Sequence, residues 1–120
     1  MSTSLSSVSL KEEFRALNSS GFSVSTVNLR VKAQLNDDMV AKVAFALPKK
    51  EFRRAVDRNK VKRRCRSALH DIAKCDRLVG GLYLIGGRRT LLELSYNDIL
   101  GELRYLLEKI YDSRSLERKS

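Results

Sequence analysis

The chain is 120 residues long, and its 24 Lys and Arg against 14 Asp and Glu give a formal net charge of +10. This length supports one domain with a core of its own, stable without disulfides or metal. Hydrophobic residues at 42% and charged residues at 32% describe a globular protein and exclude a disordered basic tail. No apolar run approaches the roughly 20 residues that a membrane-spanning helix needs, and two Cys with one His cannot assemble a zinc site by the usual spacings.

Residues 1–8 are Ser-rich and uncharged, which predicts a disordered lead-in. No basic residue precedes Lys11 and no continuous apolar core follows, so this is not the pattern of a signal peptide. The expected compartment is the cytoplasm, with Cys65 and Cys75 as reduced thiols. A single domain is predicted over 9–112. Ser9 and Glu12 have capping-box spacing, in which hydroxyl and carboxylate reciprocally satisfy the first amide groups of a helix. Leu10, Phe14 and Leu17 then recur at helical spacing, so a short opening helix is predicted, ending at Gly21.

Two strand patterns follow, over 22–35 and 40–47, separated by a turn at Asn36, Asp37 and Asp38. In the first, Val27, Leu29, Val31, Ala33 and Leu35 alternate, whereas Phe22 and Val24 have the opposite phase. A break near Thr26 reconciles the two phases. In the second, Val43, Phe45 and Leu47 alternate with small residues until Pro48 stops the strand.

The segment 49–66 holds ten Lys or Arg against Glu51 and Asp57, a net of +8 out of the chain's +10. A helix is predicted from between Phe52 and Val56 to about Lys74. At about 100° per residue, Val61, Cys65, Ala68, Leu69 and Ile72 share an apolar sector, while Asn59, Lys62, Arg63, Arg66 and His70 cluster opposite. A polar face that is cationic, with few (i, i+4) partners of opposite sign, points to a polyanionic ligand. Arg and Lys one turn apart can meet successive phosphates, Arg adds bidentate contacts and stacking, and Asn59 adds a directed hydrogen bond.

Beyond Gly80 and Gly81, the short apolar run 82–87 predicts a buried strand, and Gly86, Gly87, Arg88 and Arg89 a flexible basic turn. Ser95 with Asp98 opens a last helix whose apolar face is Ile99, Leu103, Leu106, Leu107 and Ile110; residues 113–120 are predicted as a flexible tail. This order is that of an α+β domain with helices mostly on one face of a sheet.

Enzymatic chemistry has little to work with. The sequence contains no Gly-rich phosphate loop, no His pair and no nucleophile elbow. His70, on the cationic face, reads either as a phosphate contact or as a plain surface residue. Phe14, Phe22 and Phe45 can face a groove between the opening helix and the sheet and stack on unpaired bases; plain core packing is the competing reading for each.

The run from Ala55 through Val56, Asp57, Arg58, Asn59, Lys60, Val61, Lys62, Arg63, Arg64 and Cys65 to Arg66 closely resembles the signature helix of the bacterial ribonuclease P protein subunit, A-V-x-R-N-[RK]-x-K-R-x-x-R. With the flanking elements, the resemblance covers about 9–112. It implies a protein, monomeric within its complex, that binds ribonuclease P RNA and precursor tRNA and promotes endonucleolytic removal of the 5′ leader. Catalysis, and the Mg2+ ions it uses, would belong to the RNA. The resemblance implies RNA contacts from Arg58, Asn59, Lys60, Lys62, Arg63 and Arg66 and from the preceding Lys49 and Lys50; Arg54 and His70 extend the same face. Phe14 matches the aromatic of the family's leader cleft.

The fold it implies is a two-layer α/β sandwich with a four-stranded sheet, in the order α-β-β-β-α-β-α. Its β-α-β crossover would be left-handed, as in a ribosomal-protein domain, where chain physics alone predicts a right-handed one. Pro48, Ala44 and Asn18 depart from the family's Ser or Gly, Gly and aromatic, which implies leader contacts of a different strength or specificity. The competing function is a structural ribosomal or general RNA-binding protein using the same basic helix. A protein-only nuclease would need carboxylate and His constellations that the sequence lacks.

Crowding ten cations into 18 residues creates self-repulsion that bound anions relieve. Sulfate is therefore expected to raise the melting temperature more than chloride does at equal ionic strength, as followed by circular dichroism. Equal melting curves would show that the repulsion is already relieved within the fold.

Overall fold

The computed structural model describes residues 4–7, 22–35, 40–75 and 78–119. The predicted opening helix, with Phe14, and the predicted turn at 36–38 lie outside the described residues. Five strands are present: β1 Ser4–Ser7, β2 Phe22–Ser25, β3 Leu29–Leu35, β4 Val40–Ala46 and β5 Gly81–Gly87. Two helices, α1 Ala55–Cys75 and α2 Tyr96–Lys119, and a 3-10 turn at Arg89–Glu93 complete the order. The sheet runs β1-β4-β5-β3-β2. Its four longer-range members are the predicted α+β sheet, with β4 and β5 parallel and joined through α1, and β3 antiparallel to both β5 and β2.

Register explains which side chains enter the core. Val31 pairs with Ile85 and Ala33 with Tyr83 across β3 and β5, while Val43 pairs with Tyr83 and Phe45 with Ile85 across β4 and β5. Directly paired residues share a face, so Leu29, Val31, Ala33, Val43, Tyr83 and Ile85 form one apolar surface, all of it buried. Against it pack Val61, Cys65, Ala68, Leu69 and Ile72 of α1 and Ile99, Leu103, Leu106, Leu107 and Ile110 of α2 in a single cluster. These are the ten positions predicted from helical periodicity. The opposite face carries Arg30, Lys32, Lys42, Ala44, Leu82, Leu84 and Gly86, among which Ala44 is buried beside Leu82 and Leu84.

The two strand phases are reconciled where expected. Residues 26–28 form a tight turn closed by the Thr26 amide donating to the Leu29 carbonyl at 2.8 Å. Phe22 then lies opposite Ala33 and Val24 opposite Val31, on the helix side. Val27 was part of the alternating series; it sits instead at the tip of the turn, 75% exposed. At the start of β5, Gly81 has φ 146°, and a Cβ there would lie 2.4 Å from the Gln34 carbonyl oxygen, so only glycine allows β3 and β5 to approach.

Two expectations at the chain ends are corrected. Part of the predicted lead-in, Ser4–Ser7, forms β1, which pairs in parallel with β4. An edge strand can recruit a partner through backbone groups alone, a signal absent from side-chain periodicity. Residues 113–120 were predicted as a tail, yet α2 runs on to Lys119. The Ser113 hydroxyl donates to the Lys109 carbonyl at 3.0 Å, and the following residues include good helix formers with neither Gly nor Pro to stop the helix. At its other end, the Asp98 amide donates to Ser95 Oγ at 3.1 Å, as the capping spacing predicted. The predicted flexible turn is also more ordered: Gly86 and Gly87 belong to β5, and Arg89 opens the 3-10 turn.

Polar contacts lock the layers. The Tyr96 hydroxyl donates to Asp71 Oδ2, tying α2 to α1, and this bond, with some desolvation, pushes the phenol up to about 12. Tyr83 and Tyr111 hydroxyls meet at 3.0 Å, and Tyr111 Oη accepts the Val79 amide at 3.1 Å.

The cysteines differ sharply. Burial pushes the Cys65 thiol from 9.0 up to about 12, whereas Cys75 is exposed. A thiol pKa raised by folding contributes stability that is full below the unfolded value and is lost as pH rises through the folded one. At mildly alkaline pH, an alkylating reagent is therefore expected to modify Cys75 alone, and Cys65 only after denaturant is added. Two adducts on the native protein, read by intact mass, would contradict the packing of α1.

Candidate nucleic-acid interface

The cationic surface begins where Pro48 ends the β4 segment. The Glu51 and Phe52 amides both donate to the Pro48 carbonyl, at 3.1 and 2.9 Å, making a turn from which Lys49 and Lys50 project into solvent. Phe52 anchors that turn in the core at 1% exposure. Glu51 Oε2 accepts the Arg89 amide at 3.1 Å, and the Arg88 amide donates to the Asn28 carbonyl at 3.0 Å. Three separate loops are thus joined, and Lys49 and Lys50 stand beside Arg88 and Arg89.

Along α1, the side opposite the buried sector carries the cations. Arg54, Asn59, Arg63 and His70 are exposed, while Arg58, Lys60, Lys62 and Arg66 are half-buried. Several are tied into the fold as well as turned outward. Arg58 Nη1 donates to the Phe52 carbonyl at 2.7 Å, and Arg64 Nη1 to the Leu94 carbonyl at 3.1 Å. The Arg66 guanidinium lies 5.8 Å from the centroid of the Phe45 ring, within cation-π range. Arg58 and Arg66 therefore do more than face outward: Arg58 is bonded to the turn before α1, and Arg66 lies over an aromatic ring of β4.

On the sheet face away from the helices lies a concavity of about 690 Å³. Ala46, Leu84 and Gly86 form its floor, and Arg30, Lys32, Lys50 and Arg88 stand around it. Ala46 and Gly86 keep one end of the floor low; a Cβ on Gly86 would already crowd the Ala46 carbonyl oxygen at 3.2 Å. Lys50 belongs both to this rim and to the basic turn that leads into α1, so helix and concavity form one cationic surface.

Of the aromatic candidates, Phe22 and Phe45 are half-buried against the main core and do not line the concavity. Strand parity is the reason, since their register partners Ala33 and Ile85 are core residues. Sequence reasoning missed Arg30, Lys32 and Arg88. For the first two a signal existed: they alternate with Leu29, Val31 and Ala33, but alternation alone does not tell a binding face from a solvated one. Among the described residues, no group of three or more His, Cys, Asp or Glu converges that could hold a metal ion.

Fold and surface together define a small α/β sandwich whose basic helix and concavity carry a concentration of cations. The family model for ribonuclease P matches residues 5–111. The chain belongs to the ribonuclease P protein family. The ribonuclease P protein of Thermotoga maritima is similar in fold, with TM-score 0.72 and 21% identity over 82% of this chain and 92% of that one. The Staphylococcus aureus ribonuclease P protein gives TM-score 0.67 and 21% identity over 83% and 92% of the two chains. A mutant of the Staphylococcus aureus protein gives 0.69 and 21% over 83% and 85%. No curated protein matches the chain.

The two kinds of Arg on α1 are separable. Arg63→Ala is expected to weaken binding to a structured RNA and to reduce the slope of log affinity against log salt by about 1, with no change in stability. Arg58→Ala should add a stability loss of about 1.5 kcal/mol, because the Phe52 carbonyl loses a charged donor. Salt-dependent filter binding and urea unfolding check the pair; an unchanged salt slope for Arg63→Ala would displace the interface from α1.

Proposed function

We propose that this chain is the protein subunit of a ribonucleoprotein endonuclease, binding ribonuclease P RNA and the 5′ leader of precursor tRNA to promote leader removal in tRNA 5′ maturation. The observation that carries this reading is the continuity of the cationic surface from α1, through Lys49 and Lys50, to the concavity edged by Arg30 and Arg88. A structured RNA needs a rigid row of charges, which α1 provides through Arg58, Asn59, Lys60, Lys62, Arg63 and Arg66. A single strand needs a narrower path with a low floor, which the concavity provides.

The division of labour follows from the residues available. The catalytic RNA carries the Mg2+ ions and the hydrolytic step. The protein's own contribution is electrostatic and positional: its cations offset phosphate repulsion between two large RNAs, so that fewer free counterions are needed to bring them together. In this reading the chain acts as a monomer within the complex, in the cytoplasm. Among the described residues, no helix is long and apolar enough to cross a membrane.

Addition of the purified chain to a bacterial ribonuclease P RNA and precursor tRNA at low Mg2+ is expected to stimulate leader cleavage, with the stimulation fading as Mg2+ is raised. Absence of stimulation at every Mg2+ concentration would leave a general RNA-binding role. Cleavage by the chain without RNA would instead place the chemistry on the protein.

A further inference from the structure

One stretch of the concavity's edge is held from the far side of the molecule. Both carboxylate oxygens of Glu102, on α2, reach the turn between β2 and β3. The Thr26 hydroxyl donates to Oε1 at 2.5 Å, and Asn28 Nδ2 donates to Oε2 at 3.0 Å. Thr26 Oγ1 in turn accepts the amides of Asn28 and Leu29, at 3.3 and 3.1 Å. Glu102 sits between Ile99 and Leu103, which are both fully buried, so the helix presenting the carboxylate is fixed by the core. From the same turn, the Asn28 carbonyl accepts the Arg88 amide. A chain of short contacts thus runs from α2, through residues 26–28, to a cation of the concavity.

At the tip of this turn stands Val27, which at 75% is the most exposed of the large hydrophobic residues among those described. It lines the concavity with Asn28, Arg30 and Arg88. Core packing does not account for an apolar side chain held rigidly in solvent among cations. A nucleotide base does, because its apolar faces can pack against an aliphatic side chain while its phosphates meet the neighbouring Arg.

We propose that Val27 is an affinity-contributing contact for an unpaired base of the precursor tRNA leader, and that Glu102 is the positioning residue that holds Val27 and Arg88 at the concavity. This inference rests on the leader-binding reading given above. Glu102 touches no substrate; it acts by fixing the turn. The contact is tolerant of base identity, since every base offers an apolar face, and it favours a strand with at least one nucleotide unstacked at this point.

The test uses the full-length chain assembled with ribonuclease P RNA. Three quantities are measured: affinity for precursor tRNA with its leader, affinity for mature tRNA, and cleavage rate at saturating substrate. Val27→Ser and Glu102→Ala are each expected to lower affinity for the leader-bearing precursor by on the order of fivefold. Affinity for mature tRNA and the saturating rate should be unchanged. Glu102→Gln should recover part of the loss, because its amide oxygen can still accept from Asn28.

An equal loss for precursor and mature tRNA in Glu102→Ala would make Glu102 merely structural and overturn the positioning role. Val27 is at the surface, so Val27→Ser tests the contact without threatening the fold, and an unchanged leader-dependent affinity would overturn it. If the wild-type complex itself does not distinguish precursor from mature tRNA, the leader reading falls, and this inference with it.

Discussion

Burial of Val61, Cys65, Ala68, Leu69 and Ile72 against the sheet is the interaction on which the rest of the molecule depends, because it holds in place a helix that would otherwise resist forming. Residues 55–75 carry Arg and Lys at successive helical neighbours, including Arg58 with Lys62, Lys60 with Arg64 and Lys62 with Arg66. Each such like-charge pair costs on the order of 0.3 kcal/mol. Full burial of Val61, Leu69 and Ile72 contributes roughly 1.5–3 kcal/mol for each side chain. Packing outweighs repulsion, so the cations are held as a rigid array instead of a mobile tail. Rigidity of that kind distinguishes a docking surface from a nonspecific polycation.

Several cations reduce the conflict between stability and display by serving both. Arg58 holds the Phe52 carbonyl, Arg64 holds the Leu94 carbonyl, and Arg66 lies over Phe45. Guanidinium suits this double use, since it offers five donors in a plane and can spend one inside while presenting the rest outside. The acidic residues have a matching role. Glu51 joins the turn before α1 to the segment after β5, and Glu102 holds the turn between β2 and β3. In a chain of net charge +10, these carboxylates hold loops together near the cationic surface.

Much of this was legible in the order of residues. Periodicity gave α1 its five core positions and its outward face; its start at Ala55 falls inside the window expected between Phe52 and Val56, its end at Cys75 lies one residue past Lys74, and Ser95 marked the start of α2. Strand alternation located β3 and β4 and required a break near Thr26. It could not assign the faces of the sheet; register, which pairs Phe22 with Ala33 and Phe45 with Ile85, does so. Arg30 and Lys32 were visible as the polar half of an alternating strand, without anything to show that they faced a concavity. Ser4–Ser7 carried no periodic signal at all, because its pairing to β4 is made by backbone.

Residue order was enough to show the amphipathic helix, the cations on its outward face and the family, since each depends on residue types at short spacing, where helical geometry converts position directly into direction. Strand neighbours, and therefore which face of the sheet packs against α1 and α2 and which carries the concavity, follow only from the tertiary structure. It also brought Lys50, Arg88 and Arg30 to one concavity and placed Glu102 beneath the turn at 26–28. Thr26 and Glu102 are 76 residues apart in the chain, and contacts at that separation arise from strand order and helix packing, which local spacing does not encode. Segment 49–66 showed its concentration of cations before any fold was known; the concavity beside it exists only because β3, β5 and the turns at 26–28 and 48–52 come together.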